Sequence, residues 1–338
     1  MLLLVQCQRS APSPTTTFEY SAQHQVTVLD SLQAAQAITQ DTVEHFFRYV
    51  SALDMSIQMQ RTYPSGTERA MILNDYRQFL QNDVTDFSAK EIAFVQQIFE
   101  DAFRQMSQLS EAVFPANIRL LKTKGQHYGK SVYYTRQNCI IIPANVLAER
   151  NASTFLETML HEVFHIYSRY HPQQRRALYR LIGFEDIGGF SDVQLPPALT
   201  ERYLLNPDGI DFAEAIELQV TADSSVLAVP IIFANEPEFK PAKLDFISYL
   251  EFQLFPVLQT ATDAYTVLAK ADGTSPLNVQ ELDDFYTQVG NNTDYIIHPD
   301  EILADNFVLL VLQNNIDKLS EPGQDLLLEM EKILRQHR

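Results

Sequence analysis

The sequence predicts an α+β chain, mostly helical, with a small mixed β-sheet just ahead of a helix that carries two histidines. Three observations predict it. Apolar residues recur at helical period from Leu32 to Ile57 and again in the last third of the chain. Short alternating runs lie together in the middle, at residues 117–123 and 139–142. Directly after them, Leu160-His161-Glu162-Val163-Phe164-His165 sets His161 and His165 one helical turn apart in a stretch otherwise poor in charge.

Taken in order, residues 1–25 read as a signal-like segment and tether, and 26–112 as a helical N-terminal region. Helices are expected over 30–61 and, after the break Tyr63-Pro64-Ser65-Gly66, over 67–81 with Thr67 as cap. Ser88 with Glu91 makes a capping box that opens a third helix to Leu109. Residues 113–185 hold the sheet and the histidine helix. Strands are expected at 117–123, 131–135 and 139–142, with a turn at Lys124-Gly125-Gln126, and Asn151 or Ser153 caps the histidine helix. Turn signals such as Asn206-Pro207-Asp208-Gly209, with β-like runs at 210–212 and 226–233, mark 186–243 as an inserted loop and β subdomain. Residues 244–338 read as a helical C-terminal region, with helices at 244–258, 279–289, 300–314 and 325–336.

The chain has 338 residues, enough for one large or two ordinary domains, and a hydrophobic content of 46% places it with globular rather than disordered chains. A formal net charge of −18 argues against a nucleic-acid partner and favours basic or neutral substrates. Two cysteines exclude a disulfide framework and a cysteine-based metal site. Cys139 sits in an apolar run as a core thiol. The start, Met1 to Cys7, resembles the end of a bacterial lipoprotein signal, although no Lys or Arg precedes its apolar run and Gln6 stands where a small residue is usual. That resemblance implies an extracytoplasmic chain with a lipid anchor at Cys7; without it the chain is cytoplasmic.

His161 and His165 can reach one metal ion from a single helix face, and Glu162 is then turned toward the ion's open side. This is the H-E-x-x-H arrangement of zinc peptidases. A catalytic zinc needs a third protein ligand, and three residues compete for the place. Glu301 and Asp305 are four apart on a helix beginning near Pro299, so Glu301 can bind the metal while Asp305 accepts a hydrogen bond from a ligand histidine. His171 has the right spacing after His165, but Ser168 stands where a turn-forming glycine would be needed. Glu185 lies in a glycine-rich stretch with no acid four residues on.

Glu301-Ile302-Leu303-Ala304-Asp305 resembles the Glu-x-x-Ala-Asp of the gluzincins, a branch of the zincin metallopeptidases. The resemblance covers the two motif helices and the strands before them, with a longer interval between the motifs than gluzincins usually have. It implies a zincin-like fold, Zn2+ held by His161, His165 and Glu301, Glu162 as general base, Asp305 behind a ligand histidine, and peptide or protein as substrate. It also implies that the edge strand, in the region of residues 132–142, lies along the cleft and pairs with an extended peptide. Tyr295 and His298, just before the Glu301 helix, are the nearest candidates in sequence for stabilising the oxyanion, with Tyr286 further off. His127 could flank the cleft. The alternative functions are a surface-anchored or lapsed-peptidase binding protein that keeps a zinc site, and a zinc hydrolase acting on something other than protein.

Overall fold

The computed structural model describes residues 15–149, 151–210, 212–262 and 264–336. It is a mixed α/β structure with two mixed six-stranded sheets. The signal-like start and Cys7 lie outside the described residues.

The first sheet contains β1 (Thr16–Glu19), β2 (Gln25–Val28), β3 (Val84–Thr85), β4 (Asn117–Thr123), β5 (Tyr134–Arg136) and β6 (Cys139–Pro143). Its order is β1-β2-β4-β6-β5, with β3 added beside the end of β4. The centre, β2-β4-β6, is parallel, and β5 closes one edge antiparallel to β6. Both faces are covered, which explains the nearly unbroken apolar runs. Ile118, Leu120, Ile140 and Ile142 point to one core, with the long helix Ala89–Leu109 and the histidine helix Ala152–Tyr170. Leu121, Cys139 and Ile141 point to the other, with the short helices Ser31–Ala37, Phe46–Tyr49 and Ala52–Gln58. This is the two-residue period of a strand written into two cores. Cys139 is buried there, and burial pushes its thiol up to about 11.

The expected tether reaches too far into the chain. Residues 16–28 form a β-hairpin whose second strand joins β4, so the ordered sheet begins well before Asp30. The Ser88 capping box is present: Ser88 accepts from the Glu91 N–H and Glu91 accepts from the Ser88 N–H at 2.6 Å. Glu91 also pairs with the buried Lys122 of β4 at 2.9 Å, so the helix start is tied to the sheet. Thr67 does not cap the helix Arg69–Asp83; its hydroxyl donates to the Pro64 carbonyl.

The second sheet contains β7 (Phe184–Asp186), β8 (Val193–Gln194), β9 (Glu214–Thr221), β10 (Ser224–Ala234), β11 (Leu250–Ala261) and β12 (Ala264–Val267), in the order β7-β9-β10-β11-β12-β8. It overturns the helix expected at 244–258. Leu244, Ile247 and Leu258 would have formed that helix's apolar stripe, yet they are 54%, 51% and 56% exposed. The alternation of Leu250 to Phe255 prevails because β10 pairs with it along its whole length. A short apolar segment satisfies both periods, and only the partner strand decides between them. A further helix follows the histidine helix directly, at Pro172–Leu181. Pro172 sits at its first position, where no N–H is required. The later helices Pro299–Leu312 and Glu321–Gln336 fall where the periodicity put them. Among the described residues no helix is long and apolar enough to cross a membrane.

The capping box gives a direct test of the helix–sheet anchor. Ser88→Ala should lower unfolding stability in urea by about 1 kcal/mol. An unchanged midpoint would show that the box contributes nothing.

Candidate metal centre

Asn151 accepts the Thr154 N–H and starts the helix Ala152–Tyr170, which runs straight through His161 and His165. Phe155, Met159, Leu160, Val163, Phe164, Ile166 and Tyr167 are buried along it, which fixes its rotation. The two imidazoles stand almost perpendicular, with ring centroids 4.7 Å apart. The helix Pro299–Leu312 packs beside it. His298 caps that helix, its Nδ1 accepting the Asp300 N–H at 3.1 Å, and Pro299 occupies the first turn. Asp300 and Glu301 follow at the positive end of the helix dipole, where carboxylates are favoured.

Glu301 Oε2 lies 3.0 Å from His161 Nε2 and 3.3 Å from His165 Nε2. One donor atom from each of the three residues falls within 4.8 Å of the others. The outer nitrogens are held from behind. His161 Nδ1 donates to Asp305 at 2.9 Å, and Asp305 in turn accepts from the Thr293 hydroxyl. His165 Nδ1 donates to Asp300 at 2.7 Å. Asp300 also accepts from Ser168 at 2.5 Å and from the Tyr179 hydroxyl at 2.9 Å. Glu301 Oε1 accepts from the Asn206 amide at 2.6 Å. With each Nδ1 fixed as a donor, the free lone pairs belong to the Nε2 atoms, which face Glu301.

These residues fit a metal ion. The buried His165 Nε2 has no hydrogen-bond partner, an orphan that a cation would satisfy. Bonds of 2.0–2.1 Å in a tetrahedron put donor atoms about 3.3 Å apart, close to the spacing of Glu301 Oε2 from the two nitrogens. The set is two imidazoles and one carboxylate, with no thiolate. The carboxylates around the two rings favour their protonated forms. Burial lowers the His161 imidazole, but hydrogen bonds to Asp305 and Glu301 outweigh it and raise it to about 9. His165 is raised well above its ordinary value against its own burial, chiefly by the Glu301 charge, and Glu301 is held well below the carboxylate range by the same pair.

Glu162 lies beside this cluster on the wall of an open cleft of about 530 Å³, and its buried Oε2 has no hydrogen-bond partner. Burial, then the nearby Asp208 charge, pushes its carboxyl up to about 8 against the pull of the two histidines. Tyr295 stands at the mouth of the cleft, its ring stacked over His161 at 6.1 Å. Ser131, Val132 and Tyr133 line the same cleft just before the edge strand β5.

Four residues weighed from the sequence sit away from the cluster. His298 does not face the cleft. It is buried on the far side, lining a separate cavity of about 380 Å³ with Tyr179, Asp300 and Arg169, and burial holds its imidazole down to about 4, so it acts as a neutral cap. His171 turns back onto the Tyr167 carbonyl at 2.8 Å and stacks on the Tyr167 ring, away from His165. Glu185 lies exposed on β7 and pairs with Arg180 at 3.0 Å. His127 is buried between Asp83 at 2.6 Å and the Tyr134 hydroxyl at 2.7 Å, where it braces β5 rather than the cleft.

Sequence reading missed Asp300, Ser168, Tyr179, Asn206 and Asp208. Asp300 had a signal, because it precedes Glu301 in the acidic first turn of a helix opened by Pro299. Ser168 lies three residues beyond His165, on the same helix. Asn206 and Asp208 showed only a turn, and nothing local tied that turn to either motif helix. Comparison with protein-family models, with curated proteins and with solved structures gives no match.

Asp300→Asn should weaken zinc affinity about 10- to 100-fold in a competitive chelator titration, because it removes the charge that fixes the His165 ring. Unchanged affinity would mean that Asp300 only fills space.

Proposed function

We propose that the chain is a zinc-dependent metallopeptidase of zincin-like, gluzincin type. One observation carries this reading: His161 Nε2, His165 Nε2 and a Glu301 oxygen converge, with both outer imidazole nitrogens on carboxylates and Glu162 beside them on an open cleft. A structural zinc site has no need of an unpaired carboxylate at that position, so Glu162 favours catalysis over a site kept for structure alone. The order of a small sheet, the two-histidine helix and a later Glu-x-x-Ala-Asp helix supports the same reading.

When bound, zinc would acidify a water and polarise a scissile carbonyl. The chain's own residues do the rest. His161, His165 and Glu301 hold the ion, and Asp305 and Asp300 keep the rings aimed. Glu162 Oε2, kept ionised by the charge of the bound ion, would accept a proton from the attacking water and pass it to the leaving amine nitrogen. Tyr295, over the His161 ring at the cleft mouth, is the proposed donor to the developing oxyanion. The segment that lines the cleft and leads into β5, residues 131–134, offers backbone to a peptide laid along the cleft.

Glu162→Gln should keep zinc but lower peptide turnover by roughly 10²- to 10⁴-fold, while Glu301→Ala should lose zinc. The assay is chelator-sensitive cleavage of a peptide library, with metal content measured on the same samples. Full turnover by Glu162→Gln would remove the proposed base, and no cleavage by the zinc-loaded protein would remove the peptidase reading.

A further inference from the structure

The edge strand that should receive an extended peptide is partly occupied by the chain itself. Thr135 pairs with Ile140 on its inner side, and its own N–H points the other way. That N–H donates to Asp208 Oδ1 at 2.6 Å, and the Thr135 hydroxyl donates to the same oxygen at 2.5 Å. A backbone laid against β5 would need this N–H, so pairing cannot run past Thr135 while Asp208 is in place.

Asp208 is not a loose side chain that a substrate could push aside. Its own N–H donates to Asn206 at 3.1 Å, and Asn206 donates to Glu301 at 2.6 Å. The buried Arg169 guanidinium donates to the carbonyls of Pro207 and Asp208 from behind. Gly209 lies flat against the His298 ring, where a Cβ would come within 2.2 Å of Cε1. The turn 206–209 is thus fixed to the candidate metal centre, to the edge strand and to the histidine helix together, and its Asp208 lines the cleft beside the blocked N–H of Thr135.

The charge of the cleft's side chains is mostly of one sign. Glu157, Glu162, Asp208, Glu301 and Asp305 line the cleft, and no Lys or Arg does so among the described residues. Where pairing stops at Thr135 a chain end is favoured, and that end must carry a charge that Asp208 can accept. A C-terminal carboxylate placed against Asp208 would meet like charge. A free α-ammonium group would meet the second oxygen of Asp208, with the unpartnered Glu162 Oε2 on the same cleft wall. Resting on the peptidase reading, we infer that the enzyme is an aminopeptidase-type exopeptidase, and that Asp208 is the specificity-determining residue that seats the free amino terminus of the substrate.

The test uses the zinc-loaded full chain and one unblocked pentapeptide, compared with its N-acetylated and C-amidated forms. Stepwise release of amino-terminal residues is expected from the unblocked and amidated peptides, and none from the acetylated one. Internal cleavage of the acetylated peptide at a comparable rate overturns the exopeptidase inference and leaves the peptidase reading intact. Hydrolysis of none of the three sinks both. Asp208→Asn keeps an oxygen for the Thr135 amide and removes the charge. It should raise KM for the unblocked peptide about 10- to 100-fold, with a smaller change in kcat and unchanged zinc affinity. An unaltered KM assigns Asp208 a purely structural place and overturns its role. If that variant fails to fold, the comparison of blocked and unblocked peptides still decides the exopeptidase claim.

Discussion

The structure turns on one buried carboxylate set against two imidazoles. Glu301 reaches His161 and His165 across the boundary between two helices that are distant in sequence. Three ionisable groups brought out of water in this way are unfavourable unless each finds a counter-charge or a hydrogen bond. Asp300, Asp305 and Asn206 supply part of that. They also make the neighbourhood strongly acidic. With neutral imidazoles, the charges of Glu301, Asp300 and Asp305 would stand close together without compensation. Charge on the two imidazoles, which Glu301 and the hydrogen bonds to Asp305 and Asp300 favour, offsets them, and a divalent cation among the Nε2 atoms and Glu301 would do the same. Binding of such a cation would then release protons.

The rest of the fold keeps those two helices in register. The first sheet and the helix Ala89–Leu109 bury one side of the histidine helix, and the helix Pro299–Leu312 packs on another through Phe164 and Phe307. The second sheet contributes through its connections more than through its strands. The turn between β8 and β9 supplies Asn206 to Glu301 and Asp208 to β5. A segment that looks like an elaboration of the fold therefore also lines the cleft. The separate cavity behind Asp300 belongs to the same construction, since Tyr179 and Ser168 reach Asp300 from its walls.

Much of the site was legible in the sequence because its chemistry lies within single helices. His161, Glu162 and His165 share one turn, and Glu301 and Asp305 share another, so helical spacing alone predicts their directions. The Ser88 box and the alternation of β4 are local in the same sense. What could not be read depends on partners far along the chain. Residues 250–256 satisfy a helix or a strand, and β10 makes them a strand. Residues 16–25 look like a tail until they fold into a hairpin whose second strand pairs with β4. Asp208 reads as a turn residue because its role exists only where it meets Thr135. His298 was misplaced for the opposite reason: being near Glu301 in sequence put it one turn away on the wrong side of the helix start, where it caps rather than faces the cleft.

X-ray absorption at the zinc edge, on purified protein titrated with one equivalent of zinc, tests the central claim most directly. A light-atom shell at about 2.0–2.1 Å with the multiple-scattering signature of two imidazoles and no sulfur is expected, reduced to one imidazole in His165→Ala. A shell without histidine scattering, or a spectrum unchanged by that substitution, would contradict it.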